Sequence, residues 1–340
     1  MRQPLGRLLR RDGAGRDGAR PDGAGAPATG QATPRRHRGA ALSLLSASRP
    51  AALAERIERA PALDGPVRVL SETVVRALPP GPRADALHGV PFGQPAHPAL
   101  IRMPLGCWTS AVLLDLFRGT ERAAGTLVAV GLAAALPSAA TGLADWSALH
   151  RHQQRVGLVH AISQACATAL FGASLLARLT GRHGNGKVLS ASGLAVATAG
   201  AYLGGHLALR LGAGASHAEP IDHLAALGWH DLCPLADLPD GHLARRQLGY
   251  LSLLALRQGD TVQVLSDHCA HLGGPLHQGR VVTVRGAACV SCPWHGSTFR
   301  LSDGAVMHGP ATARQPVFES RISDSGCVQV RPQAKRRAAG

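Results

Sequence analysis

Three consecutive stretches of this chain, residues 123–144, 156–177 and 188–209, contain no Asp, Glu, Lys or Arg. Each is 22 residues long. As a helix at ~1.5 Å per residue, each reaches ~33 Å and can cross ~30 Å of hydrocarbon. A buried Ala-rich soluble bundle is the alternative, and three such stretches in a row argue against it. A weaker apolar segment at about 99–117 precedes them, with Arg102 and Asp115 near its ends. Four antiparallel membrane spans are therefore predicted within 91–215. Only 3% of residues are aromatic although 45% are hydrophobic, so the apolar content is mostly Ala, Leu and Val. Gly131, Gly142, Gly157, Gly172, Gly193, Gly200, Gly204 and Gly205 would let helices approach closely. Trp146 follows the second long segment, where an interfacial tryptophan belongs.

Beyond Gly214 the pattern changes. Residues 216–224 read as a linker, and 225–330 as short strands. Turn signals lie at PDG 239–241, RQGD 257–260, SDG 302–304 and SDSG 323–326. Tyr250–Leu256, Thr261–Leu265, Val281–Arg285 and Cys327–Val330 are the clearest strands. Two loops in this region carry the chemistry, CAHLGGPL at 269–276 and CPWHGSTF at 292–299. Each mixes one cysteine with one histidine: Cys269 with His271, and Cys292 with His295. Gly273, Gly274, Pro275, Pro293 and Gly296 supply bends. Zinc is the first guess for two cysteines and two histidines, but its common layouts group like ligands together. The mixed layout suits a [2Fe–2S] cluster with cysteines on one iron and histidines on the other. The bland alternative is four unrelated surface residues.

The two loops closely resemble the two cluster boxes of the Rieske family, and the resemblance extends loosely over 225–330. It implies an all-β scaffold, with Cys269 and Cys292 on one iron and His271 and His295 on the other. Ser297, Gly273, Pro293 and Gly296 would support the ligands. Respiratory-complex members carry an extra cysteine in each box. Gly274 and Trp294 stand there instead, so that inter-loop disulfide is absent. Ser297 matches a serine that hydrogen-bonds cluster sulfur, but Phe299 replaces a tyrosine. Hydrogen bonds to the sulfurs raise the potential, so a ferredoxin-like midpoint is expected, in the lower half of roughly −150 to +300 mV. The stretch 88–215, with HPALIRMPLGCWTSAVLLDL at 97–116, GLADW at 142–146 and GGHLALRLG at 204–212, is similar to a family of four-span bacterial membrane proteins of unknown function. The fold class expected is thus a four-helix membrane bundle followed by an all-β Rieske domain.

The net charge of +15 sits largely at the ends, with +6 in residues 1–40 and +4 in 331–340. Such arms more often meet acidic lipid than a specific nucleic acid, and no specific nucleic-acid partner is expected. Residues 1–40 repeat RDGAG-like units and read as disordered. Residues 41–90 read as an amphipathic segment, broken at Pro61 and Gly65–Pro66, on the membrane surface or against the next domain. The other cysteines are scattered and read as no disulfide framework; Cys289 reads as an inward-facing strand position. Arg and Lys near the span ends tally level, so the positive-inside rule does not decide orientation. The basic arm, with no signal-peptide run after it, and the lack of a disulfide framework favour a cytoplasmic Rieske domain in the cell membrane.

His160 and His206 fall at matching depth on the third and fourth spans, a placement that haem b or a quinone could use. Their bland role is to bond helices together. His97, His150 and His152 border the same face. The function expected is membrane-anchored transfer of single electrons between redox partner proteins. Alternatives are a quinol-oxidising or haem-linked redox subunit using the His160/His206 face, and a redox sensor. A self-contained Rieske oxygenase is disfavoured, because only about forty residues follow the second loop and His308 is the sole histidine among them.

Overall fold

The structure, a computed structural model, describes residues 49–218 and 228–333. The expected disordered arm 1–40, residues 41–48, linker positions 219–224 and the basic tail from 334 lie outside the described residues.

Two short helices come first, α1 (Arg49–Glu58) and α2 (Asp64–Ala77). The break falls at Pro61 alone, because Pro66 sits in the first turn of α2, where no backbone donor is needed. Both helices pack on the next domain. Ala54 of α1 joins Val156, Leu203 and Leu207, and Val67 of α2 joins Trp146 and Leu158. Helix α3 (Pro82–His88) starts on a proline and ends at left-handed Gly89.

The first apolar segment forms α4 (Ala96–Leu100) and α5 (Arg102–Leu114). Pro104 cannot donate to the carbonyl of Leu100, which separates the two. Ile101 between them keeps helical angles of −63° and −20°. Then follow α6 (Glu121–Ser147), α7 (Arg151–Leu179) and α8 (His183–Gly205), the last extended by a wider turn over His206–Arg210. Among the described residues, these three helices are long and apolar enough to cross a membrane. Helix α5, at 13 residues, is shorter.

Small residues act as seats for rings. A Cβ on Gly131 would lie 2.4 Å from Trp108, and one on Gly193 would lie 3.0 Å from Phe171. Seated in this way, Trp108 of α5 and Phe171 of α7 stack at 4.3 Å between centroids. Near the far end, Arg178 donates to Asp115 at 2.9 Å, and Ser174 and Ser190 complete the network. The sequence tally counts Arg178 among the charges near the span ends. The structure leaves it only 6% exposed, because its carboxylate partner lies inside the bundle.

From residue 228 the chain is all β. Strands β1 (His230–Pro234), β2 (Leu243–Leu248), β3 (Leu251–Gln258), β4 (Thr261–Ser266), β9 (Val317–Ile322) and β10 (Cys327–Pro332) form one antiparallel sheet in the order β1-β10-β9-β4-β3-β2. Strands β5 (Arg280–Val284), β6 (Ala287–Ser291), β7 (Thr298–Arg300) and β8 (Val306–His308) form a second, in chain order. The expected strands appear as β3, β4, β5 and β10. Cys289 is buried on β6, as its alternation suggests. One of the two chemical loops joins β4 to β5, and the other joins β6 to β7.

Candidate metal centre

The two loops have the same backbone construction. Cys269 N–H donates to Gly274 O at 2.9 Å, and Gly273 N–H to Cys269 O at 2.8 Å. In the second loop, Cys292 N–H donates to Ser297 O at 2.8 Å, and Gly296 N–H to Cys292 O at 3.1 Å. In both, the fourth residue after the cysteine is a glycine at positive φ, +74° at Gly273 and +77° at Gly296. Each loop therefore folds back on its cysteine through a left-handed turn that a side chain would strain.

Folding in this way pairs like with like across the loops. The thiols of Cys269 and Cys292 are neighbours in one buried cluster, with Ser297 beside Cys269. The rings of His271 and His295 meet edge-on, with centroids 5.1 Å apart. Their mutual interaction raises the Cys269 pKa and lowers that of Cys292. Burial pushes His271 down to about 3 and His295 to about 4. Both imidazoles are therefore neutral, with lone pairs available to a metal.

One atom tests whether this set fits a cluster. Nδ1 of His271 is buried with no hydrogen-bond partner, an arrangement that costs about 1–3 kcal/mol unless something satisfies it. A metal ion at that nitrogen would do so. Among the described residues, no three His, Cys, Asp or Glu side chains converge on one point. Zinc needs four ligands around one centre. A thiol beside a thiol and an imidazole beside an imidazole fit the two irons of a [2Fe–2S] cluster instead.

The walls of the site include residues that sequence reasoning missed. Gln315 is 1% exposed. It accepts from Ala270 N–H at 3.0 Å and donates to the carbonyls of Ser266 and His268 at 2.8 and 2.7 Å. Asp267, also 1% exposed, accepts from Ser252 Oγ and from the backbone N–H of His277. It also pairs with the His277 ring at 2.7 Å. Both residues brace the first loop, and nothing in their local sequence marks them. Ser297 accepts from Ala311 N–H at 3.0 Å and is fully buried. Pro293 and Trp294 lie at the open side of the second loop, and Phe299 is fully buried beneath it.

The histidine edge of the site rests on the helical region. His150, just before α7, lies 5.5 Å from His295 and 5.1 Å from Trp294 between centroids. Burial and the nearby His152 and His217 hold its pKa below the usual histidine value. Asp85 of α3 accepts from Gly309 N–H at 2.8 Å and pairs with His308 at 2.9 Å. His217 N–H donates to Ala270 O at 2.8 Å. A cavity of about 180 Å³ lies between the regions, lined by His88, Asp145, Leu149, Ala270, His271 and Pro310.

The two membrane histidines singled out by depth, His160 and His206, each have a partner of their own. His160 donates through Nδ1 to Gly200 O at 2.8 Å. Nε2 of His206 is held by the carboxylate of Glu58 at 2.6 Å.

Residues 228–319 match the Rieske [2Fe-2S] domain. The C-terminal part of this chain is a Rieske [2Fe–2S] domain, and with it comes a [2Fe–2S] cluster. Residues 93–217 match a second family, described as Predicted membrane protein (DUF2231), so the molecule is a fusion of a membrane domain with a Rieske domain. Apoptosis-inducing factor 3 of mouse and of human are each 32% identical over 91 residues, 27% of this chain and 14% of theirs. The human Rieske domain-containing protein is 31% identical over 61 residues, 18% of this chain and 39% of its own length. The chain thus spans a minor part of each relative. Among solved structures, the complex of reduced oxygenase and oxidized ferredoxin in carbazole 1,9a-dioxygenase aligns with 28% identity and TM-score 0.28, over 32% of this chain and 97% of that one. The E. coli protein NirD aligns with 26% identity and TM-score 0.29, over 32% and 98%.

Proposed function

We propose that this protein is a membrane-anchored electron carrier, in which Cys269 and Cys292 hold one iron of the cluster and His271 and His295 the other. The carrying observation is the buried, partnerless Nδ1 of His271 beside His295, with the two thiols paired separately. A bound Rieske cluster supplies reversible one-electron chemistry. The chain's own part is to hold the ligands rigid and neutral, exclude water and offer an edge for docking. Gln315 and Asp267 fix the first loop, Ser297 ties the second to Ala311, and Phe299 closes the floor. The partner proposed is a redox protein, meeting the protein at the Trp294 side of the histidine edge. The Rieske domain is proposed to face the cytoplasm, with lipid around the helices.

The test is an EPR spectrum of the dithionite-reduced, purified chain, with iron and sulfide assays. A rhombic Rieske-type signal, lost in His271→Ala and in Cys292→Ala, supports the assignment. An EPR-silent protein with stoichiometric zinc overturns it. A second reading, quinol oxidation, has one observation in its favour: the cavity beside His271 also holds the His88–Asp145 pair, 2.8 Å apart. A low midpoint excludes it, because such a cluster accepts electrons from quinol poorly.

A further inference from the structure

The membrane domain contains an internal repeat that the chain's apolar composition conceals. Trp108 stacks on Phe171, and Asp115 pairs with Arg178, 63 residues apart. Trp108 and Phe171 are also 63 positions apart. The α4–α5 segment and α7 therefore run in the same direction, with one constant register between them. Eleven residues before each aromatic ring stands a histidine, His97 before Trp108 and His160 before Phe171. Eleven residues are three helical turns at ~3.67 per turn, which returns to the same face. The register thus sets His97 against His160, about 16 Å along the helices from the stacked rings.

The partner helices repeat as well. His97 Nδ1–H donates to Ser138 O at 2.8 Å, and a Cβ on Gly142 would lie 2.7 Å from its ring. His160 Nδ1–H donates to Gly200 O at 2.8 Å, and a Cβ on Gly204 would lie 3.0 Å from its ring. Each imidazole is seated on a glycine and bonded to the carbonyl four residues before it. That bond fixes the tautomer and leaves the Nε2 lone pair free, which is how metal-ligating histidines are held. Neither Nε2 has a hydrogen-bond partner among the described residues, and both rings are half-buried.

We infer that His97 and His160 are the two axial ligands of a haem iron in the membrane domain. The ligand count selects haem over a bare ion. Among the described residues, no third His, Cys, Asp or Glu joins the pair, and two imidazoles do not complete a four-coordinate metal site. A porphyrin brings four nitrogens of its own and asks only two of the protein. His206, the partner expected from depth alone, is engaged by Glu58 and stands outside the repeat. A bis-histidine iron changes between ferric and ferrous by one electron, with no ligand or proton exchanged. His150, which touches His295, lies ten residues from His160 along α7, or ~15 Å. The inference adds a second redox centre to the carrier reading and does not depend on it.

The experiment is optical spectroscopy of the full chain, purified in detergent from cells supplied with haem, alongside the Rieske EPR signal. A Soret band, α and β bands that sharpen with dithionite, and one haem per chain by pyridine haemochromogen are expected. His97→Ala and His160→Ala should each abolish the low-spin spectrum while the Rieske signal stays. Cys269→Ala should do the reverse, and His206→Gln should leave the haem bands unchanged. Because either alanine variant could lose haem by misfolding, His97→Gly is titrated with imidazole, and recovery of the low-spin bands identifies a vacant axial position. A protein with a Rieske signal but no haem, or low-spin haem retained in both alanine variants, overturns the inference.

Discussion

Gly274 shows how much of the centre is decided by single atoms. A Cβ there would lie 2.8 Å from Cys292 Sγ and 3.1 Å from the Trp294 ring. Gly274→Ala should therefore push the loops apart, at about 1–3 kcal/mol of overpacking. The expected outcome is a folded chain whose iron content falls below half that of wild type, measured by iron assay and EPR. Full occupancy would mean the loops yield freely. Phe299 tests the potential. It packs in one core cluster with Cys269 and Cys292, so a hydroxyl added by Phe299→Tyr lands near the ligands. If that hydroxyl gains about 1.4 kcal/mol toward the reduced state, within the range of one hydrogen bond, the midpoint rises by about 60 mV. An unchanged midpoint in a redox titration would show that the hydroxyl does not reach the sulfurs. At this scale the site was legible because its ligands are local, a cysteine and histidine within each loop. Gln315 and Asp267 were not legible. Gln315 reaches Ala270 across 45 residues, and a lone buried glutamine has no sequence signature.

Among the elements, what could be read depended on period. Twenty-two uncharged residues dictate a helix by length, and alternation with turns dictates the sheets. The repeat between α4–α5 and α7 was not readable, because apart from His97 and His160 its matched residues differ in kind: Trp with Phe, and Asp with Arg. Only the stack and the ion pair reveal the common register. Helix α3 was likewise unremarkable in sequence, yet its Asp85 latches the Rieske domain through Gly309 N–H and His308. Asp85→Ala leaves that amide without its acceptor. With about 1.4 kcal/mol lost, hydrogen exchange at Gly309 should accelerate about tenfold, with β3 amides unaffected. Equal protection in both proteins would show that the latch holds nothing.

For the whole molecule the question is how many times the chain crosses the bilayer, and α4–α5 decides it. His97 lies against Gly142 and Trp108 against Gly131, so this segment descends 11 residues as α6 ascends 11. Asp115 then meets Arg178 at the end of α7, and Lys187 early in α8 donates to the Asp115 carbonyl. Because this segment runs from the level of His97 to the level of Arg178, the depth its longer neighbours cover, we propose four passes with α5 as the shortest. An even number of passes puts α1–α2 and the Rieske domain on one side, in keeping with the Glu58–His206 and Asp85–His308 pairs. Single cysteines separate the cases. Ala62→Cys and Asp324→Cys are exposed positions on α1–α2 and the Rieske domain, and Gly184→Cys has open space at the opposite end. An impermeant maleimide on intact cells should label Gly184→Cys alone and reach the other two only after lysis. Opposite behaviour of Ala62→Cys and Asp324→Cys would reduce the count to three. Labelling of that pair together, with Gly184→Cys protected, would place the Rieske domain outside the cytoplasm.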